Sequence, residues 1–156
     1  AVTGGSVTVR ESRYGMMQGD MKFLDVLKKM GCTVNQTGEG IQVDAPDGGI
    51  LKPVDVDMND FSDQSMTLAA IAPFAQGTTR IHNVGHIRLQ ESDRIEAVLT
   101  NLRAMNIECG TFTEDGKEGI YICHGIPQPA HIKTFDDHRM AMAFAVTGLA
   151  ADGIVI

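Results

Sequence analysis

The sequence predicts an α/β fold built from repeated strand–helix–strand–helix–hairpin units, with helices inside and strands outside. Three observations carry that prediction. A strand, helix and hairpin recur at a nearly fixed offset, a second helix recurs with them, and that second helix is apolar on almost every side.

The first copy opens with "GGSVTVR", whose alternating Val7 and Val9 read as a short strand. A loop leads to "GDMKFLDVLKKMG", a helix with Asp20 as its expected N-cap and Gly31 as its stop. The second copy opens with "QGTTRIHNV" and continues through "SDRIEAVLTNLRAM". Gly5 and Gly77 lie 72 residues apart, whereas Leu24, Leu27 and Met30 match Leu99, Leu102 and Met105 at 75. The second loop is therefore three residues longer. A hairpin follows each helix, turning at Gly38-Glu39-Gly40 and at Asp115-Gly116, and returning through Gly40 to Val43 and Gly119 to Ile122. The second helix recurs as "DQSMTLAAIAPFAQG" from Asp63 and "DHRMAMAFAVTGLAADG" from Asp137. Each has Met three residues after Asp and is almost wholly apolar, so each is expected to be buried on nearly every side. The units run at about 1–58, 59–134 and 135–156, the third incomplete. The chain opens on a turn and strand and closes on "ADGIVI", where another strand begins, so the expectation is a piece of a larger protein.

Composition narrows the function classes. The 156 residues are 43% hydrophobic and 21% charged, enough for a sizeable core. A formal net charge of −7 argues against nucleic acid as the main partner, because phosphate contacts along a strand need a basic face. No apolar run is long enough for a membrane span, and no charged leader with an apolar run opens the chain. Cys32, Cys109 and Cys123 form no CxxC pair, and their odd number suits reduced thiols in a cytoplasmic protein.

Chemistry concentrates at helix starts. In "RLQESDRI" (88–95), Arg88, Glu91, Asp93 and Arg94 precede the apolar stripe Ile95, Val98, Leu99, Leu102 and Met105. Glu91 lies three residues before Arg94, near enough to form an ordinary surface ion pair or to frame a site. In "FDDHRMAM" (135–142), Asp136 or Asp137 suits an N-cap, and Arg139 either pairs with it or offers a planar fork to a carboxylate or phosphate. Asp63 suits a cap in the same way. His82, His86, His124 and His131 show no metal-ligand spacing and read as ordinary polar residues. Equivalent helix ends in stacked repeats tend to point the same way, so these groups are placed to converge on one anionic ligand.

"RLQESDRI" and "DHRMAMAF" (137–144) resemble two signature segments of the 3-phosphoshikimate 1-carboxyvinyltransferase (EPSP synthase) family. "MQGDMKFLDVLKKMG" (17–31) and "DVDMNDFSDQSMTLA" (55–69) are similar to the matching parts of that family. The resemblance implies the inside-out α/β barrel of enolpyruvyl transferases, with this chain as a partial C-terminal domain. It implies transfer of enolpyruvyl from phosphoenolpyruvate to the 5-hydroxyl of shikimate 3-phosphate, with release of phosphate. It further implies a cytoplasmic, monomeric parent enzyme with these small-molecule substrates, no cofactor and no metal. Carried over by motif, Asp63 takes the hydroxyl proton and bonds the shikimate hydroxyls, and Glu91 serves proton transfer at the methylene carbon. Arg94, His138 and Arg139 hold phosphoenolpyruvate, and Gln90 lies by the shikimate. Gln90 stands where the family usually has Lys, so the charge is lost and shikimate phosphate binding should weaken. The same resemblance implies that the isolated chain turns over nothing, because the family's site lies between two domains. Two alternatives stand beside this reading: the sister transferase acting on UDP-N-acetylglucosamine, and a non-catalytic remnant of the same fold.

Overall fold

The computed structural model describes residues 1–13 and 19–156, so the first two residues of the similar segment 17–31 lie outside the described residues. The strands are β1 (Ser6–Arg10), β2 (Thr33–Gln36), β3 (Gly40–Asp44), β4 (Asp55–Asp57), β5 (Thr79–His82), β6 (Cys109–Glu114), β7 (Lys117–Ile122), β8 (Ala130–His131) and β9 (Ile154–Val155). The helices are α1 (Phe23–Lys29), α2 (Ser65–Ile71), α3 (Arg94–Ala104) and α4 (His138–Gly148).

The repeat is visible in the hydrogen-bond register. β1 and β2 flank β3 in an antiparallel sheet, and β5 and β6 flank β7 in the same order. Val9 faces Ile41 in the first sheet and Ile81 faces Ile120 in the second, so matched residues meet matched partners. The hairpins agree too, with Val34 opposite Val43 and Cys109 opposite Ile122. A glycine marks the same place in each copy. A Cβ on Gly40 would fall on the Val9 carbonyl, and one on Gly119 would come within 2.6 Å of the Ile81 carbonyl oxygen. The side-chain-free position lets the returning strand close against its neighbour. The second hairpin turns through Asp115 and Gly116, both at positive φ, the backbone of a two-residue turn.

The other half of the unit is a parallel strand–helix–strand. β4 pairs in parallel with β5 across α2, and β8 pairs in parallel with β9 across α4. The stretch β4–α2–β5–α3–β6–β7 is thus one βαβαββ unit with its own four-stranded sheet, β4-β5-β7-β6. The helices lie behind the sheets. α2 buries Ser65, Met66, Leu68, Ala69, Ala70 and Ile71, which requires packed neighbours on nearly all sides. α3 buries its stripe of Ile95, Val98, Leu99 and Leu102. Thr147 of α4 donates to the Ala70 carbonyl of α2 at 2.9 Å inside the core.

Three sequence expectations are corrected. α4 buries only one face, made of Met140, Ala143, Phe144 and Thr147, while Met142 and Leu149 are 66% and 72% exposed. Composition alone could not separate it from α2, because both sequences are equally apolar and only α2 is enclosed. Asp20 does not cap α1; it lies in a 3-10 turn and accepts from Gln64 at 3.0 Å. The Asp63 segment does not open a helix either, for Asn59–Gln64 is 3-10 and α2 starts at Ser65 without a side-chain cap. Gly31 does stop α1, at φ +102°, where a left-handed residue closes the helix end. Val7 and Val9 are 65% and 56% exposed, although their register counterparts Thr79 and Ile81 are fully buried.

Candidate functional site

Three segments distant in sequence supply the site: the 3-10 turn before α2, the start of α3 and the start of α4. Asp93 caps α3 by accepting from the Glu96 amide at 3.0 Å. Arg88 holds that cap from behind, donating to Asp93 at 2.8 Å and through Nε and Nη2 to both Glu118 oxygens at 2.9 and 2.7 Å. This fork fastens the segment carrying Gln90 and Glu91 to β7. The Arg88 guanidinium holds the Glu118 carboxyl below its ordinary range.

Asp137 is the centre of the site. It caps α4, accepting from the Arg139 amide at 3.0 Å. Its side chain is fully buried, and its Oδ2 also accepts from Arg94 Nε at 2.7 Å and from Ser92 Oγ at 3.1 Å. Burial pushes this carboxyl up, but the bonds from Arg94, the Arg139 amide and Ser92, with the charge of Arg94, outweigh it and hold it below the ordinary value. Arg94 is itself only 3% exposed. Burial draws its guanidinium down, and Asp137, Asp63 and Glu91 together keep it above the ordinary range.

Every candidate residue joins this pair. Arg94 Nη1 donates to Asp63 Oδ1 at 3.1 Å and to the Gln90 amide oxygen. Its Nη2 lies 3.6 Å from Glu91 Oε2. Arg139 Nη2 meets the other Asp63 oxygen at 2.9 Å, and His138 Nδ1 lies 3.2 Å from Glu91. Arg139 therefore pairs with Asp63 through its side chain and with Asp137 only through its backbone. The structure brings Asp63, Gln90, Glu91, Arg94, His138 and Arg139 into one contiguous network. Three other histidines bond elsewhere: His86 to Ser62, His124 to the Pro73 carbonyl, and His82 between Asp55 and Glu114 at 2.5 and 3.1 Å.

Sequence reasoning missed Asp137 as more than a cap, and missed Ser92 entirely. The only local signal was two adjacent aspartates before a helix. The choice between them rests on Phe135 and Asp136, both at φ +55°, which turn the chain so that Asp137 meets the helix. Glu91, Asp137 and His138 place one donor atom each within 4.8 Å of one another. The Arg94 guanidinium lies against two of the three, so both carboxylates already have a cationic partner. Two planar forks beside two partly exposed carboxylates can hold a carboxylate or phosphate and move protons next to it.

Comparison with known proteins identifies the family. The family described as EPSP synthase (3-phosphoshikimate 1-carboxyvinyltransferase) matches residues 1–156. The chain is 47% identical, over its full length and 35% of the relative's, to the 3-phosphoshikimate 1-carboxyvinyltransferase of Nostoc punctiforme. It is 41% identical to the chloroplastic one of Brassica napus, across 96% of the chain and 30% of that protein. Among solved structures, an EPSP synthase from Acinetobacter baumannii superposes with a TM-score of 0.75 at 28% identity, over 97% of this chain and 37% of that one. The enolpyruvyl transferase NikO from Streptomyces tendae has the same fold, with a TM-score of 0.57 at 22% identity over 85% of this chain and 29% of its own. The chain spans about a third of the length of the curated relatives it matches. By the match along all its residues, this chain belongs to the EPSP synthase family.

Proposed function

We propose that this chain supplies one wall of an enolpyruvyl transfer site, acting on phosphoenolpyruvate and shikimate 3-phosphate as part of a C-terminal domain. The observation that carries the reading is the single network joining Asp63, Glu91, Arg94, His138 and Arg139 from three segments. As the 5-hydroxyl oxygen attacks C2 of phosphoenolpyruvate, Asp63 accepts its proton and Glu91 delivers one to C3. Arg94 and Arg139 hold the carboxylate and phosphate, with His138 beside them. Return of a C3 proton to Glu91 then accompanies loss of inorganic phosphate from C2 of the tetrahedral intermediate, which restores the C2–C3 double bond and leaves the enol ether product. Gln90 lies beside Arg94 at the shikimate end, accepting from Arg94 through its amide oxygen and keeping its uncharged amide N–H groups for the substrate.

The proposed domain organisation is the repeat itself, read from the sequence as about 1–58, 59–134 and 135–156, with β4 taken into the second unit and β8 into the third because each pairs with the strand that follows its helix. Small anionic substrates fit the charge of −7 better than nucleic acid does, and no helix among the described residues is long and apolar enough to cross a membrane. Free thiols at Cys32, Cys109 and Cys123 suit the cytoplasm, where we place the enzyme as a monomer.

The test is a chimera in which this chain replaces the matching third of the Nostoc punctiforme relative. Phosphate release from both substrates, lost in Asp63→Asn and in Arg139→Ala, is the expected outcome. A folded chimera that binds neither substrate would favour the non-catalytic reading, for which Gln90 is the motivating departure. The isolated chain is expected to release no phosphate; steady turnover by it would refute that expectation.

A further inference from the structure

We propose that Asp63 masks the anion clamp of the unliganded chain, so that an entering anion must displace it from Arg94 and Arg139 together. The inference rests on the reading that these two arginines take an anion. Both Asp63 oxygens are already engaged, Oδ1 by Arg94 at 3.1 Å and Oδ2 by Arg139 at 2.9 Å. One carboxylate thus bridges the two guanidiniums that a phosphate or carboxylate ligand would use, taking one nitrogen of each.

The carboxylates around Arg94 fall into two ranks. Asp137 is fully buried and fixed by the helix cap, Ser92 and Arg94, so it stays where it is. Asp63 has a side chain 42% exposed, sits in a 3-10 turn, and has no cap bond to keep it in place. It is the displaceable partner. Its own charge also opposes an incoming anion while it sits between the two arginines. Anion entry and liberation of the Asp63 carboxylate therefore become one event, and the carboxylate is released to take a proton only once the anion is seated.

The usual expectation for a substrate-contacting acid is that removing it weakens binding. Masking predicts the reverse for a simple anion. Titration of the 156-residue chain with inorganic phosphate, followed by amide NMR, should give an affinity about tenfold higher for Asp63→Asn than for the parent. Arg139→Ala added to Asp63→Asn should remove that gain. Asp63→Ser serves as a second variant if the amide perturbs folding. An unchanged or weaker phosphate affinity in the folded variants, including no measurable binding in either, overturns the proposal. A gain in Asp63→Asn alongside a chimera that transfers no enolpyruvyl group would overturn the catalytic reading and leave the masked clamp standing.

Discussion

Asp137 and Arg94, 43 residues apart in the chain, form a buried ion pair with Nε and Oδ2 separated by 2.7 Å. The pair joins the starts of α3 and α4, and both partners are almost wholly removed from water. Asp137→Asn would leave a buried guanidinium short of its counter-charge, a class of change that costs about 3 kcal/mol. Asp63→Asn, at a half-exposed carboxylate, should cost less than about 1 kcal/mol. Urea unfolding of both variants measures the contrast, and equal losses would mean that burial does not set the rank of these carboxylates.

The pH dependence of stability has a defined sign. Asp137 and Glu118 are both held below their ordinary values in the folded chain. Each then contributes stability that is complete above its unfolded value, about 4, and is lost as pH falls through the lower folded value. Thermal melts should show Tm falling steeply below about pH 4, with a shallower fall in Asp137→Asn.

Gly119→Ala should destabilise the second sheet by about 2 kcal/mol, because its Cβ would press on the Ile81 carbonyl and the Phe112 ring. Gly40→Ala should do the same in the first sheet through the Val9 carbonyl. Denaturant midpoints of the two variants report this directly, and a neutral result at either site would show that its strands can part cheaply.

Thr147→Val keeps the shape of a buried side chain and deletes the hydroxyl bond to Ala70 between α4 and α2. A loss of about 1 kcal/mol is expected, since the Ala70 carbonyl loses an additional partner. Equilibrium unfolding at neutral pH checks it.

Gln90→Lys replaces the amide oxygen that engages Arg94 with a cation. If Gln90 faces the shikimate phosphate end, the affinity of the chain for shikimate 3-phosphate should rise about three- to tenfold. NMR titration distinguishes this from no change, which would remove Gln90 from the binding surface.

Much of the scaffold could be read from spacing. The offsets of 72 for the opening strands and 79 for the returning strands reappear as matched register, and that of 75 as matched helix faces, because periodic apolar residues report which side of an element is buried. The motif residues of α3 and α4 meet at those helix starts, whereas Asp63 reaches them from a 3-10 turn ahead of α2. Less legible were the features set by surroundings rather than by local pattern. Whether an apolar helix is enclosed, as α2 is, or half open, as α4 is, depends on neighbours far along the chain. The choice of Asp137 over Asp136 turns on two left-handed backbone residues, and the use of Asp63 as a bridge turns on two arginines brought from other segments.

The equal register of the two three-stranded sheets has a consequence for how such a chain can change. Both copies keep identical partners across their strands, while the second carries three more residues between its opening strand and its helix. That longer connection is where Gln90 and Glu91 reside. A length change within a strand would turn every side chain beyond it to the opposite face, whereas one in the connection leaves the pairing untouched. The duplicated frame thus tolerates novelty between its strands and its helices, and one of two matched halves can carry a knot of charge there that the strand pairing never feels.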